Sequence, residues 1–137
     1  MSATFFSATY REARQRFLDA ARKADATVHS HVHPLKGAEG EEIGTDAAFL
    51  GAADADKLFI VSSGTHGPEG FSGSACQLAL LNDELARRAT DRGIALLLIH
   101  AVNPFGFSHL KRTNEDNIDL NRNFNDFSTP YPDNPVY

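Results

Sequence analysis

The chain has a single cysteine, Cys76, among its 137 residues. One thiol forms no internal disulfide, so a disulfide-stapled secreted scaffold is excluded and a reduced, cytoplasmic setting is the expectation. The N-terminus lacks a basic segment followed by a continuous apolar stretch and does not read as a signal peptide. No apolar run approaches the roughly 20 residues that a membrane-crossing helix needs, so no membrane partner is expected. Positive charge is also scarce: 13 Lys and Arg stand against 18 Asp and Glu, a net charge of −5. A nucleic-acid surface needs clustered Lys and Arg, so no nucleic-acid partner is expected either. Core material is plentiful, at 42% hydrophobic residues with ten Phe. That suits one domain, or part of a larger one.

Thr9 and Glu12 have the spacing of a capping box, and Tyr10, Ala13, Phe17, Ala20, Ala21 and Ala24 recur at helical intervals. This predicts a helix over residues 8–24, with Arg11, Arg14, Arg16, Arg22 and Lys23 on its polar face. Residues 27–33 alternate with period two and read as a strand, residues 37–42 as a turn, and residues 43–51 as a second, antiparallel strand. Two apolar runs, 57–63 and 94–102, read as buried strands flanking a helix that starts near Glu69 and ends near Arg88. Strand, helix and strand make a crossover with the two strands parallel. From Asn103 the chain is polar, with no clear element over its last 35 residues, and Pro130, Pro132 and Pro135 keep the end extended. A loop that long is unusual inside a compact domain unless it is functional.

Chemistry concentrates at the first junction, Gly64-Thr65-His66-Gly67-Pro68-Glu69-Gly70. If Pro68 starts the helix, His66 and Glu69 turn toward one point, as two ligands of a catalytic zinc site do. A third protein ligand is not evident. Parallel strands end at one sheet edge, where open α/β sheets bind ligands. The loop after the second buried strand carries Arg112, Asn114, Asn121 and Arg122 to that same edge.

Three stretches carry a resemblance. His66-Gly67-Pro68-Glu69 resembles the His-x-x-Glu metal motif of the zinc carboxypeptidases. Asn103-Pro104-Phe105-Gly106-Phe107 resembles their Asn-Pro-Asp-Gly-Phe loop, and Asp119-Leu120-Asn121-Arg122-Asn123-Phe124 matches their Asp-Leu-Asn-Arg-Asn-Phe stretch. The match covers about residues 57–124. Residues 112–117 look most like an uncharacterised bacterial branch of that superfamily, and the aspartoacylase and succinylglutamate desuccinylase group shares the same skeleton. The resemblance implies an α/β fold: a mixed sheet with an N-terminal antiparallel hairpin and a parallel βαβ crossover, with helices on both faces. It implies zinc on His66 and Glu69, Arg112 polarising the scissile carbonyl, and Asn121 with Arg122 holding a substrate carboxylate. The family's second His ligand, its general base and its tyrosine lie downstream of the Asp-Leu-Asn-Arg stretch, and Tyr131 and Tyr137 match no motif. Residues 1–137 then read as the N-terminal part of one catalytic domain, with zinc held weakly by two ligands.

Other residues take plainer readings. His29, His31 and His33 share one strand face and read as the solvent side of a hairpin whose Val28 and Val32 point inward. His100 reads as a buried, hydrogen-bonded histidine, His109 as a loop residue, and Cys76 as core. The activity implied is hydrolysis of an amide next to a free carboxylate, in a peptide or an N-acyl amino acid, the latter being aspartoacylase-type deacylation. Two other classes compete: a nucleotide-binding module, and a non-catalytic protein on the same fold. Gly64, Gly67 and Gly70 do not have the dinucleotide-binding spacing, and no Gly-Lys-Ser/Thr follows.

Overall fold

The computed structural model describes residues 3–124, 126 and 128–130. Helix α1 spans Tyr10–Lys23 and is capped as its sequence predicts: Thr9 Oγ1 accepts the Glu12 amide at 3.2 Å, and the Glu12 carboxylate accepts the Ala8 amide at 2.8 Å. Its buried stripe is Tyr10, Ala13, Phe17 and Ala21. Strand β1 (Thr27–Lys36) pairs antiparallel with β2 (Glu42–Leu50). Strand β3 (Lys57–Ser62) leads into α2 (Gly67–Asn82) and α3 (Glu84–Thr90), then β4 (Ile94–His100) and the short α4 (Pro104–His109). The sheet order is β1-β2-β4-β3, with β4 antiparallel to β2 and parallel to β3. The α/β class, the mixed sheet, the hairpin and the parallel crossover are therefore as the sequence predicts. Strands β1, β3 and β4 run the same way, and their C-terminal ends share one edge.

Alternation along each strand divides the sheet into two faces. Ala48, Leu96, Leu98 and His100 look toward the helices, where Phe17, Ala21, Leu81 and Ala86 complete the main core and Phe107 lies over His100. All four α-helices among the described residues pack on this face. Of the two helical layers implied by the resemblance, these residues build one. The opposite face carries Ala47, Phe49, Leu97 and Ile99, only partly buried, and Leu58 and Ile60 of the edge strand β3. Leu58, Phe59 and Ile60 are 53%, 56% and 54% exposed, three apolar residues in a row on both faces of one strand.

The core holds polar pairs as well as hydrocarbon. Arg14, placed on the polar face of α1 by periodicity, bends inward: its Nε donates to the fully buried Asp46 at 2.8 Å. The Tyr10 hydroxyl donates to the Gly44 carbonyl and accepts the Gly44 amide, and burial pushes the phenol up to about 12, so it keeps the proton it donates. The Gln77 amide donates to the carbonyls of Val61 and Ile99, tying together the ends of β3 and β4, and accepts the Ser63 hydroxyl.

Several expectations change. The helix expected to continue to Arg88 is broken at Asp83, whose carboxylate caps α3 through the Leu85 amide. Cys76 is exposed, because the buried face of α2 runs through Gly70, Ser74, Gln77, Leu78 and Leu81 and residue 76 turns away from it. Val28 packs on the core while Val32, farther along an edge strand, is exposed. The polar segment after Asn103 is not featureless: Asn103 caps α4 through the Gly106 amide, and Leu120–Arg122 forms one 3-10 turn. The extended stretch expected at Pro132 and Pro135, and Tyr131 and Tyr137, lie outside the described residues.

Candidate metal centre at the carboxyl edge of the sheet

Beyond β3 the chain stays bonded to the end of β4. The Ser63 amide donates to the Ile99 carbonyl, and the Val102 and Asn103 amides donate to the carbonyls of Ser63 and Gly64. The turn that follows is pressed against its neighbours. A Cβ on Gly67 would lie 1.9 Å from the Gly106 carbonyl oxygen, and one on Gly70 would meet the Phe107 ring at 2.8 Å. The Gly67 amide donates to the Lys111 carbonyl at 2.9 Å. These two glycines therefore admit protein atoms, not a phosphate. Pro68 sits in the first turn of α2, and His66 is its N-cap residue, with an extended backbone and no capping bond from its side chain. The imidazole is left to point out of the turn.

Two carboxylates flank it. His66 Nε2 is 3.0 Å from Asp119 Oδ1, and His66 Nδ1 is 3.8 Å from Glu69 Oε1. Asp119 Oδ2 also accepts Arg112 Nε at 2.8 Å, and Oδ1 accepts the Asn121 amide at 2.9 Å. The His66 hydrogen bond, with those from Arg112 and Asn121, holds the Asp119 carboxyl down to about 2. An ionised Asp119 only accepts hydrogen bonds, so His66 Nε2 carries a proton, and in the neutral ring Nδ1 presents its lone pair on the Glu69 side. At 3.8 Å that pair is too far apart for a hydrogen bond. Two ligand atoms each about 2.1 Å from a tetrahedral zinc lie roughly 3.4 Å apart, close to the observed separation. The donor chemistry and its outer partner thus fit a cation of the zinc type. Among the described residues no group of three or more His, Cys, Asp or Glu is placed to hold a metal. The fit is to two ligands.

The remaining sequence candidates fall around this pair. Arg112 is half-exposed and anchored by Nε to Asp119, so it is tied to His66 through a shared carboxylate. Asn121 and Arg122 lie in the segment after the second buried strand, as expected, and ride there on a 3-10 turn that the Asp119 side chain caps. Both are exposed. Arg122 Nη1 donates to the Asn121 carbonyl at 3.1 Å. It has no carboxylate partner among the described residues, since Asp119 is occupied by His66 and Arg112. His100 lies away from the pair, fully buried, stacked on Phe17 and bonded to Ser74 at 3.1 Å; burial lowers its pKa to about 4. His29 and His31 are exposed as expected, whereas His33 is drawn in.

Sequence reasoning misses Asp119 and Asn103. Asp119 stands in the quoted Asp-Leu-Asn-Arg stretch, and a carboxylate two residues before a candidate binding pair was the available signal. Asn103 reaches the Thr65 carbonyl with Nδ2 at 3.4 Å while capping α4, fixing the His66 turn against the end of β4. An Asn directly before a Pro, at a helix start, was that signal.

A family model described as "Protein of unknown function (DUF2817)" matches residues 6–137. A search of curated proteins gives no match. Among solved structures the fold is similar to that of a putative carboxypeptidase from Burkholderia mallei, with a TM-score of 0.57 and 24% identity over 81% of this chain and 30% of that one. A glutaminyl cyclase from Porphyromonas gingivalis has a TM-score of 0.47 and 14% identity over 76% of this chain and 48% of that one. A Zn-dependent exopeptidase from Parabacteroides distasonis has 0.44 and 15% over 68% and 38%. The chain spans less than a third of the carboxypeptidase and less than half of the other two.

Proposed function

The chain belongs to the DUF2817 family, and we propose that it forms part of a zinc-dependent hydrolase acting on an amide bond next to a free carboxylate. One observation carries this reading: His66 has one ring nitrogen held by Asp119 and the other facing Glu69 Oε1 at 3.8 Å. His66 and Glu69 would hold the metal. When bound, zinc supplies a Lewis acid for the scissile carbonyl and for water.

The chain's own residues divide the rest. Asp119 keeps the His66 proton on Nε2 and restrains Arg112. Arg112, tethered among the described residues through Nε, presents its outer nitrogens to negative charge developing on a carbonyl beside the metal pair. Arg122 has a planar pair of donors and no acid partner among the described residues, which suits a substrate carboxylate, with Asn121 beside it. The two-ligand site and the uncovered residues of β3 support a domain reading in which residues 1–137 are the N-terminal part of a larger catalytic unit. The nucleotide-binding alternative has less support, because the glycine turn is filled by Gly106, Phe107 and Lys111.

Zinc titration followed by calorimetry, and in the proteins that keep the imidazole also on the His66 ring resonances, tests the metal assignment. The expected result is one weak site that His66→Ala abolishes and Glu69→Gln weakens. Absence of zinc-dependent change at His66 would sink the hydrolase reading.

A further inference from the structure

We propose that His33 is a positioning residue: together with Glu115 it clamps the 111–119 loop to the end of β1, and so fixes Asp119 and Arg112 relative to His66. The functional meaning of this clamp rests on the metal-centre reading above; its geometry does not. His33 Nε2 lies 3.1 Å from Glu115 Oε1, across 82 residues of sequence, with side-chain exposures of 16% and 29%. The roles are assigned by a second bond. His33 Nδ1 accepts the Leu35 amide at 3.1 Å, so the proton sits on Nε2 and is donated to Glu115. Both ring nitrogens are engaged, which sets this histidine apart from the exposed His29 and His31 on the same strand face.

The loop is built to transmit such a restraint. Its tip is closed on itself: the Asn114 amide donates to the Ile118 carbonyl, and Asn114 Oδ1 accepts the amides of Asp116 and Ile118. Thr113 bonds Asn117. Both feet stand at the candidate site, one through the Lys111 carbonyl on the Gly67 amide, the other through Asp119 on His66. Glu115 is the projecting member of the tip, and it reaches back to β1. Between loop and sheet lies a cavity of about 200 Å³ bordered by Thr45, Val102, Asn103, Asn114 and Leu120, with His33 and Glu115 in its wall. Close packing does not hold the tip at this point. The His33–Glu115 bond spans the gap, and a tip free to tilt over it would carry Arg112 and Asp119 with it.

The test uses Glu115→Ala, with Glu115→Gln and His33→Gln as conservative partners. Glu115→Gln keeps an oxygen that accepts from His33, and His33→Gln keeps a donor for Glu115. Metal-free protein at a fixed pH of about 7.5 is followed by imidazole 15N spectra of His66 and by solvent exchange of the Arg112 Nε–H. In Glu115→Ala the His66 Nε2–H form should lose its dominance and the Arg112 proton should exchange about fivefold faster. Zinc affinity should fall about fivefold, less than the 10- to 100-fold typical of losing a direct outer partner of a metal ligand. Both Gln variants should stay near the parent. Unchanged His66 and Arg112 signals in Glu115→Ala, or a Glu115→Gln variant as damaged as Glu115→Ala, would overturn the clamp. If the parent takes up no zinc, the metal reading fails alone, and the clamp is still judged on the metal-free signals.

Discussion

Replacing Asp119 probes the candidate site at its most connected atom pair. Three donors converge on this carboxylate: His66 Nε2 at 3.0 Å, Arg112 Nε at 2.8 Å and the Asn121 amide at 2.9 Å. Asp119→Ala releases all three at once. The His66 ring loses the partner that fixes its tautomer, Arg112 loses its anchor, and the turn bearing Asn121 and Arg122 loses its cap. Loss of the outer partner of a metal-binding histidine weakens metal binding by about 10- to 100-fold. With Arg112 freed beside the pair, as an added and mobile positive charge, the effect should lie toward the upper end. Asp119→Asn should fall between Ala and the parent, because its one amide oxygen serves His66 or Arg112 but not both. The pH dependence separates Asp119 from the ligands. Its folded pKa is depressed from the ordinary 3.8 to about 2, so its contribution to stability is full above about pH 3.8 and is lost only as pH falls toward 2. Changes in zinc affinity above pH 4 therefore do not come from titration of Asp119. Zinc titration monitored at His66, for parent and both variants, gives the comparison. An Asp119→Ala affinity within about twofold of the parent would refute the claim that Asp119 sets the donor geometry.

Three further outcomes are expected. In a catalytically competent form of the protein, Arg122→Ala should raise KM for substrates with a free carboxylate by about 30-fold or more, as loss of a charged hydrogen-bonded partner does, and far less for their amides; equal effects on both would remove the substrate argument. Burial holds His100 at about 4 instead of 6.5, so the unfolded chain binds a proton that the folded chain refuses between those values; the His100 contribution should be complete above about pH 6.5 and fall by about 3 kcal/mol by pH 4, and urea denaturation should show a clearly steeper pH slope in the parent than in His100→Gln. The exposed Leu58, Phe59 and Ile60 of edge strand β3 should drive self-association of the isolated chain, and Ile60→Lys should suppress it in sedimentation velocity; a parent that stays monomeric at high concentration would contradict this.

The sheet and the helix α1 were legible because their signals are local and repeated. Period-two alternation, two apolar runs and a Thr-x-x-Glu cap each predict their element without help from the rest of the chain. The misses have physical causes. Asp83 ends α2 by offering its side chain to the Leu85 amide, and a single capping residue inside a good helical sequence looks like any other polar position. Arg14 reads as surface because helical periodicity puts it beside Arg11, but it is long enough to reach Asp46 on a neighbouring strand. His33 reads as solvent-facing because its strand alternates. Its partner Glu115 is 82 residues away, and no local pattern reports a contact at that distance. The candidate ligands His66 and Glu69 were legible because they are three residues apart at a helix start. Asp119 was not, because its role depends on how a long loop folds back.

The same contrast explains why motifs that look separate in sequence act together in space. The glycines around His66 read alone as a weak phosphate-binding turn, and the Asn103–Phe107 stretch reads alone as a loop. In the fold they are two sides of one contact. A Cβ on Gly67 would strike the Gly106 carbonyl, one on Gly106 would strike the Asn103 side chain and the Thr113 carbonyl, Phe107 occupies the place a side chain at Gly70 would need, and Asn103 bonds both the Thr65 carbonyl and the Gly106 amide. The contact leaves His66 at the rim of the sheet with its ring unclaimed by the backbone. The loop leaving α4 accepts the Gly67 amide at its Lys111 carbonyl before it turns out to present Arg112 and Asp119. Close backbone approach, available only at glycine, is therefore what converts two distant stretches of sequence into one cluster of His66, Glu69, Arg112 and Asp119.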